Sequence, residues 1–259
     1  MRAPIPDELR RIAIDVATDA AAFVAHARNT EMLAATTTTK STPTDMVTAV
    51  DRASEARIVA DLYARRPGDG VLAEEGSVAQ TRTGVTWVID PIDGTTNFVY
   101  GYPATAVSVA AVDDEHASIA GAVVDIGRGE VFSAARGAGA FLDDATLSLP
   151  GGPADLARAL ISTGFSYRPE TRVEQAAVLA RLLPVVRDIR RGGSAALDFC
   201  WAAAGRVDAY YERGTAPWDR AAGMLIAQEA GLRGEVVGDL VWVAHPRIAD
   251  DLLALVCSR

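Results

Sequence analysis

The run Trp87-Val88-Ile89-Asp90-Pro91-Ile92-Asp93-Gly94-Thr95-Thr96-Asn97-Phe98 constrains this chain more than any other stretch. Its first part, Thr86 to Ile89, reads as a short buried strand that delivers Asp90 at its end. Pro91 fixes one backbone dihedral and removes a donor, so the chain must turn. Gly94 lets the backbone reverse. Asp90 and Asp93 are thereby forced close together, and two carboxylates repel unless a cation sits between them. Hard oxygen donors of this kind suit Mg²⁺. Gly94 to Asn97 can open a helix, whose free N–H groups attract an anion. Metal and phosphate would then meet at one point. Asp-Pro and Asp-Gly alone are ordinary turn dipeptides; the unbroken string carries the argument.

The rest of the chain limits the alternatives. A length of 259 residues with 49% hydrophobic content allows one large domain or two small ones with ample core. A formal net charge of −9 argues against a nucleic-acid surface, yet a bound divalent metal still permits a small anionic substrate. No apolar stretch is long enough to span a bilayer, and no signal peptide is read at the N-terminus. Cys200 and Cys257 form no CxxC pair, so a reduced, cytoplasmic setting is expected. His26, His116 and His245 are scattered singly and give a zinc site little to build on.

Periodicity predicts helices over residues 7–28 and 51–66, then strands at 71–73 and 84–90. Short β-prone runs at 106–112, 119–125, 131–134 and 140–142 suggest an antiparallel meander. Pro150-Gly151-Gly152-Pro153 is the expected boundary between halves 1–150 and 151–259. Beyond it strands (159–162, 185–190, 207–211, 240–244) alternate with helices (171–183, 194–204, 218–230, 246–256), an α/β pattern.

The Asp90–Asp93 string resembles the metal signature of the inositol monophosphatase family. Three further blocks match it: Lys40 to Asp51, the pair Glu74-Glu75, and Pro217-Trp218-Asp219-Arg220-Ala221-Ala222-Gly223. The resemblance implies a layered α-β-α-β-α sandwich of the sugar-phosphatase type, with an N-terminal α+β half and a C-terminal α/β half. It implies two or three Mg²⁺ held by Glu74, Asp90, the carbonyl of Ile92, Asp93 and Asp219. Adjacent side chains of an extended segment face opposite ways, so only one of Glu74 and Glu75 enters the site; the resemblance selects Glu74. Thr95, with Glu74, is expected to orient the attacking water, while the N–H groups of Gly94 and Thr95 hold phosphate. Lys40 and Asp45 are implied to support the metals from behind. Gly193, Ser194 and Ala195, at the opening of a helix, and Glu212, at a strand end, are implied to meet a polyol ring. Read without the family, Asp219 is a helix N-cap, Asp51 is a helix cap, and Glu212 is an unremarkable exposed carboxylate.

The reaction implied is Mg²⁺-dependent hydrolysis of inositol 1-phosphate. Histidinol phosphate, fructose 1,6-bisphosphate and 3′-phosphoadenosine 5′-phosphate are the alternative substrates for the same chemistry. A non-catalytic, protein-binding regulator on the same fold is the alternative class. A homodimer and sensitivity to Li⁺ are expected by resemblance only. Two departures stand out: a short link at Gln80 to Gly84, and a short tail from Gly231 to Val241 in which no strand is expected. No GxxxxGK[ST] loop and no GxSxG elbow occur.

Overall fold

A computed structural model of the chain describes residues 6–28, 38–39, 46–47, 49–149 and 151–257. Lys40 and Asp45 lie outside the described residues. The first helix, α1 (Pro6–Arg28), is rich in alanine, the strongest helix former. Its stripe Leu9, Ala13, Val16, Ala20 and Val24 is buried. A ribbon of β1 (Thr38–Thr39) and β2 (Met46–Val47) leads to α2 (Ala49–Arg65). Next come β3 (Gly70–Ala73), β4 (Val78–Ala79), β5 (Thr86–Asp93), α3 (Thr95–Tyr100), β6 (Ala106–Val112), β7 (Ser118–Asp125), β8 (Val131–Ala135), β9 (Gly139–Leu142) and β10 (Ala145–Leu147). These strands form one sheet in the order β10-β9-β8-β7-β6-β5-β3-β4. All neighbours from β5 to β10 are antiparallel, which is the meander expected from the sequence.

The rest of the chain alternates β11 (Leu160–Thr163), α4 (Pro169–Leu182), β12 (Asp188–Arg190), α5 (Ala195–Ala203), β13 (Ala209–Arg213), α6 (Pro217–Glu229), β14 (Arg233–Val237), β15 (Leu240–Ala244) and α7 (Ala249–Cys257). The second sheet has the order β12-β11-β13-β15-β14. β11 runs parallel to β12 and β13, whereas β15 is antiparallel to both its neighbours.

Alternation along the strands builds five layers. Trp87 and Ile89 of β5 face α1 and α2, while Val88 faces α5 and α6. On the second sheet Tyr210 and Val243 face α5 and α6, while Tyr211 and Trp242 face α4 and α7. The result is the α-β-α-β-α sandwich, with α5 and α6 between the sheets. Among the described residues no helix is long and apolar enough to cross a membrane.

Several elements differ from expectation. β5 does not end at Asp90: it continues through Pro91 to Asp93, with its register against β6 shifted between the two aspartates. Pro91, lacking an N–H, is tolerated where the ladder is interrupted. The tail expected to lack a strand contains β14. Its surface is mostly exposed, so no apolar alternation announces it; a two-residue turn with Gly238 at φ 63° folds it onto β15. The strand expected at 185–190 is reduced to β12, an edge strand paired only with β11. The short edge strands β4 and β10 were not expected; too few residues carry a period there.

Candidate active site

The bulge in β5 sets up the site. Asp90 accepts a hydrogen bond from the Ile92 N–H at 3.0 Å, which curls the chain so that both aspartates lie on the same side. Gly94 follows at φ 89°, where a Cβ would sit 2.9 Å from the Ala104 carbonyl and 3.1 Å from that of Gly193. Only glycine fits this combination of positive φ and close backbone approach. α3 begins at once and carries Thr95.

Ten of the residues anticipated from the sequence line a single cavity of about 300 Å³: Glu74, Asp90, Ile92, Asp93, Gly94, Thr95, Gly193, Ala195, Glu212 and Asp219. The first sheet and α3 supply one wall. The start of α5, the end of β13 and the start of α6 supply the other. Arg191 is the one cationic side chain in this lining among the described residues.

Crowding of acids governs the electrostatics. Burial first, then the charges of Glu74, Asp93 and Asp219, push the Asp90 carboxyl well above the usual range. Asp219 is raised well above it by burial and by Asp93, against a hydrogen bond from the Ala216 N–H. Asp93 rises only to about 6, because donors from α5 offset its burial. The Ser194 hydroxyl donates to Asp93 at 2.6 Å, and the Ala196 N–H donates to the same oxygen at 2.6 Å. The positive end of α5 therefore faces Asp93.

Among the described residues no three His, Cys, Asp or Glu side chains converge tightly enough to form a ready coordination cage. Donors engage three of the cavity carboxylates: Ser194 and Ala196 on Asp93, Ala216 on Asp219, Ile92 on Asp90. The donor set of four carboxylates and a carbonyl nonetheless fits hard divalent cations. The raised pKa values of Asp90, Asp93 and Asp219 reflect crowding of buried carboxyls that such a cation would relieve.

Three anticipated residues behave differently in the fold. Ser194 does not line the cavity; its hydroxyl caps α5 by accepting from the Leu197 N–H at 3.3 Å and holds Asp93. Asp219 is not the N-cap of α6 but its third residue, accepting from the N–H of the N-cap Ala216 at 2.6 Å. Glu212 is no exposed strand end: it lies within β13 and accepts from the Tyr210 hydroxyl at 2.7 Å, and burial raises its pKa.

Sequence reasoning named no contact for four neighbours. Asp51, read as a cap, is fully buried in α2 and accepts from the Thr95 hydroxyl at 2.9 Å. Tyr210 orients Glu212, and the two-residue spacing on a strand was a usable signal for that pairing. Gly164 leaves the space that the Glu212 carboxylate occupies, since a Cβ there would overlap it. Asp198 is buried among the same acids, and burial with the charges of Glu212 and Asp93 raises its pKa well above normal.

Known proteins resemble this chain in sequence and in fold. The sequence model of the inositol monophosphatase family matches residues 5–241. An inositol-1-monophosphatase of Mycobacterium leprae is 50% identical over 273 aligned positions, covering 96% of this chain and 93% of that protein. The solved structure of Mycobacterium tuberculosis SuhB superposes with a TM-score of 0.84 at 46% identity, covering 97% of this chain and 96% of that one. A relative in Vibrio cholerae named Nus factor SuhB is 43% identical over 197 residues, 75% of this chain and 73% of that protein. With the fold, the cavity and these likenesses in agreement over nearly the whole length, the chain belongs to the inositol monophosphatase family.

Proposed function

We propose that this phosphoric monoester hydrolase cleaves inositol 1-phosphate to inositol and phosphate with the help of Mg²⁺. The observation that carries the reading is the meeting of Glu74, Asp90, Asp93 and Asp219 in one cavity with Arg191 as its only cationic lining residue among those described. Glu74, Asp90, Asp93, Asp219 and the Ile92 carbonyl would hold two or three Mg²⁺. When bound, these ions supply a water acidic enough to attack near neutral pH and neutralise charge on the phosphate.

The chain's own groups do the rest. Thr95 donates its proton to Asp51, which leaves an oxygen lone pair to accept a hydrogen bond from the attacking water. The proton of that water then has a path through the Thr95 oxygen to the Asp51 carboxylate. Gly94 and Thr95, at the start of α3, offer N–H groups to the phosphate. Glu212, fixed by Tyr210, accepts hydrogen bonds from hydroxyls of the leaving polyol. Gly193 and Ala195 complete the wall on that side. Lys40 and Asp45 would support the metals, as the family resemblance implies. A reduced, cytoplasmic setting, a homodimer and inhibition by Li⁺ belong to the same reading.

The test is phosphate release from inositol 1-phosphate, histidinol phosphate, fructose 1,6-bisphosphate and 3′-phosphoadenosine 5′-phosphate, each with Mg²⁺ and with EDTA. Turnover that needs Mg²⁺ and favours inositol 1-phosphate is expected; preference for another of the four would replace the substrate. The Vibrio cholerae relative is named a Nus factor, which favours a second reading, a regulatory role without turnover. Absence of turnover on all four substrates would shift the assignment to it.

A further inference from the structure

A second cavity, of about 660 Å³, lies between α6 and the β3, β5 and β6 strands and shares no lining residue with the carboxylate cavity. Its floor is apolar, formed by Val88, Val112, Met224 and Leu225. Most charges at its rim are already satisfied. Arg136 holds Asp113 and two carbonyls, and Glu229 accepts from the N–H groups of Gly137 and Gly139.

Arg220 is different. Its Nη1 donates to the carbonyl of Thr215 at 2.5 Å and touches the hydroxyl of that residue at 3.5 Å. Its Nε and Nη2 have no partner among the described residues, and no carboxylate there pairs with it. A half-buried guanidinium beside an apolar cavity, with two donor positions open, asks for an anion attached to an apolar body. A planar carboxylate matches the open edge of the fork in two parallel hydrogen bonds. The volume falls in the range of small-molecule sites.

We propose that this cavity binds a small aliphatic monocarboxylate, with its chain on Val88, Val112, Met224 and Leu225 and its carboxylate on Arg220. The site is separate from the proposed phosphatase centre and does not depend on that reading. Titration calorimetry on the full chain with octanoate and with octan-1-ol tests it. Octanoate is expected to bind at one site at least tenfold more tightly than the alcohol, since a charge-assisted pair is lost in the latter. Arg220→Met should bring the two ligands level, and Met224→Trp should abolish binding of both by filling the cavity. Thermal unfolding checks that each variant is folded; Arg220→Gln replaces Arg220→Met if the latter is not. No binding to the wild type, equal affinity for acid and alcohol, or octanoate binding that survives Met224→Trp would each overturn the proposal.

Discussion

The Thr95 hydroxyl lies 2.9 Å from a carboxylate oxygen of Asp51, across 44 residues of chain, and 3.1 Å from the Ile92 carbonyl. One hydroxyl proton serves one of these acceptors at a time, and the carboxylate is the stronger. The pair therefore fixes which way the Thr95 lone pairs point.

If Thr95 and Asp51 act as one proton path, Thr95→Ala and Asp51→Asn each lower kcat by about 10²–10³-fold. The double variant is then no slower than the worse single one, because residues acting as a unit are non-additive. Steady-state kinetics on the three variants check this. Losses that multiply would show two independent roles.

A Cβ at Gly164 would overlap the Glu212 carboxylate. Gly164→Ala should displace that carboxylate and raise KM for inositol 1-phosphate about tenfold or more, the cost of hydrogen bonds to a charged group. Glu212→Gln should act in the same direction. An unchanged KM in both variants would remove Glu212 from the substrate contacts.

Asp198 has an oxygen, Oδ1, without a hydrogen-bond partner among the described residues, and its pKa lies well above 3.8. Such a group is more protonated in the folded than in the unfolded state at intermediate pH. Stability then falls as pH rises from about 4 through the raised folded-state value. Asp198→Asn, which removes the charge at nearly constant shape, should stabilise the protein by about 1–3 kcal/mol at pH 8 and little at pH 4. Chemical unfolding at the two pH values measures the difference. A variant less stable than wild type at pH 8 would mean that the carboxylate is satisfied in solution.

Ser194 links a helix cap to Asp93. Ser194→Ala should cost about 1 kcal/mol in stability through the lost cap. It should also raise the Mg²⁺ concentration needed for half-maximal thermal stabilisation by about tenfold, the usual penalty for losing a group that orients a metal ligand. Thermal shift against Mg²⁺ concentration reads both effects. EDTA should remove the stabilisation in either protein.

The fold was legible wherever a period is strong. The helical period of α1, the apolar runs of the meander and the alternation after residue 159 all appear close to their expected places. β14, β4 and β10 were not legible, because edge strands are defined by the neighbour they pair with and not by their own pattern. The extension of β5 past Pro91 escaped notice because a proline reads as a break unless the bulge around it is visible.

The site divides in the same way. Glu74, Asp90, Asp93 and Asp219 were recognisable as a set because each sits in a short string that resembles the family's, and the Asp-Pro-Ile-Asp-Gly string announced the approach of Asp90 to Asp93, which the bulge in β5 delivers. The tertiary structure decided everything that depends on distant residues: Asp51 against Thr95, Ser194 against Asp93, Gly164 against Glu212. These contacts span tens to about a hundred residues, so no local spacing contains them. Packing of α2, α5 and β13 around the end of β5 creates them, and burial then supplies the pKa shifts that isolated residues would not show.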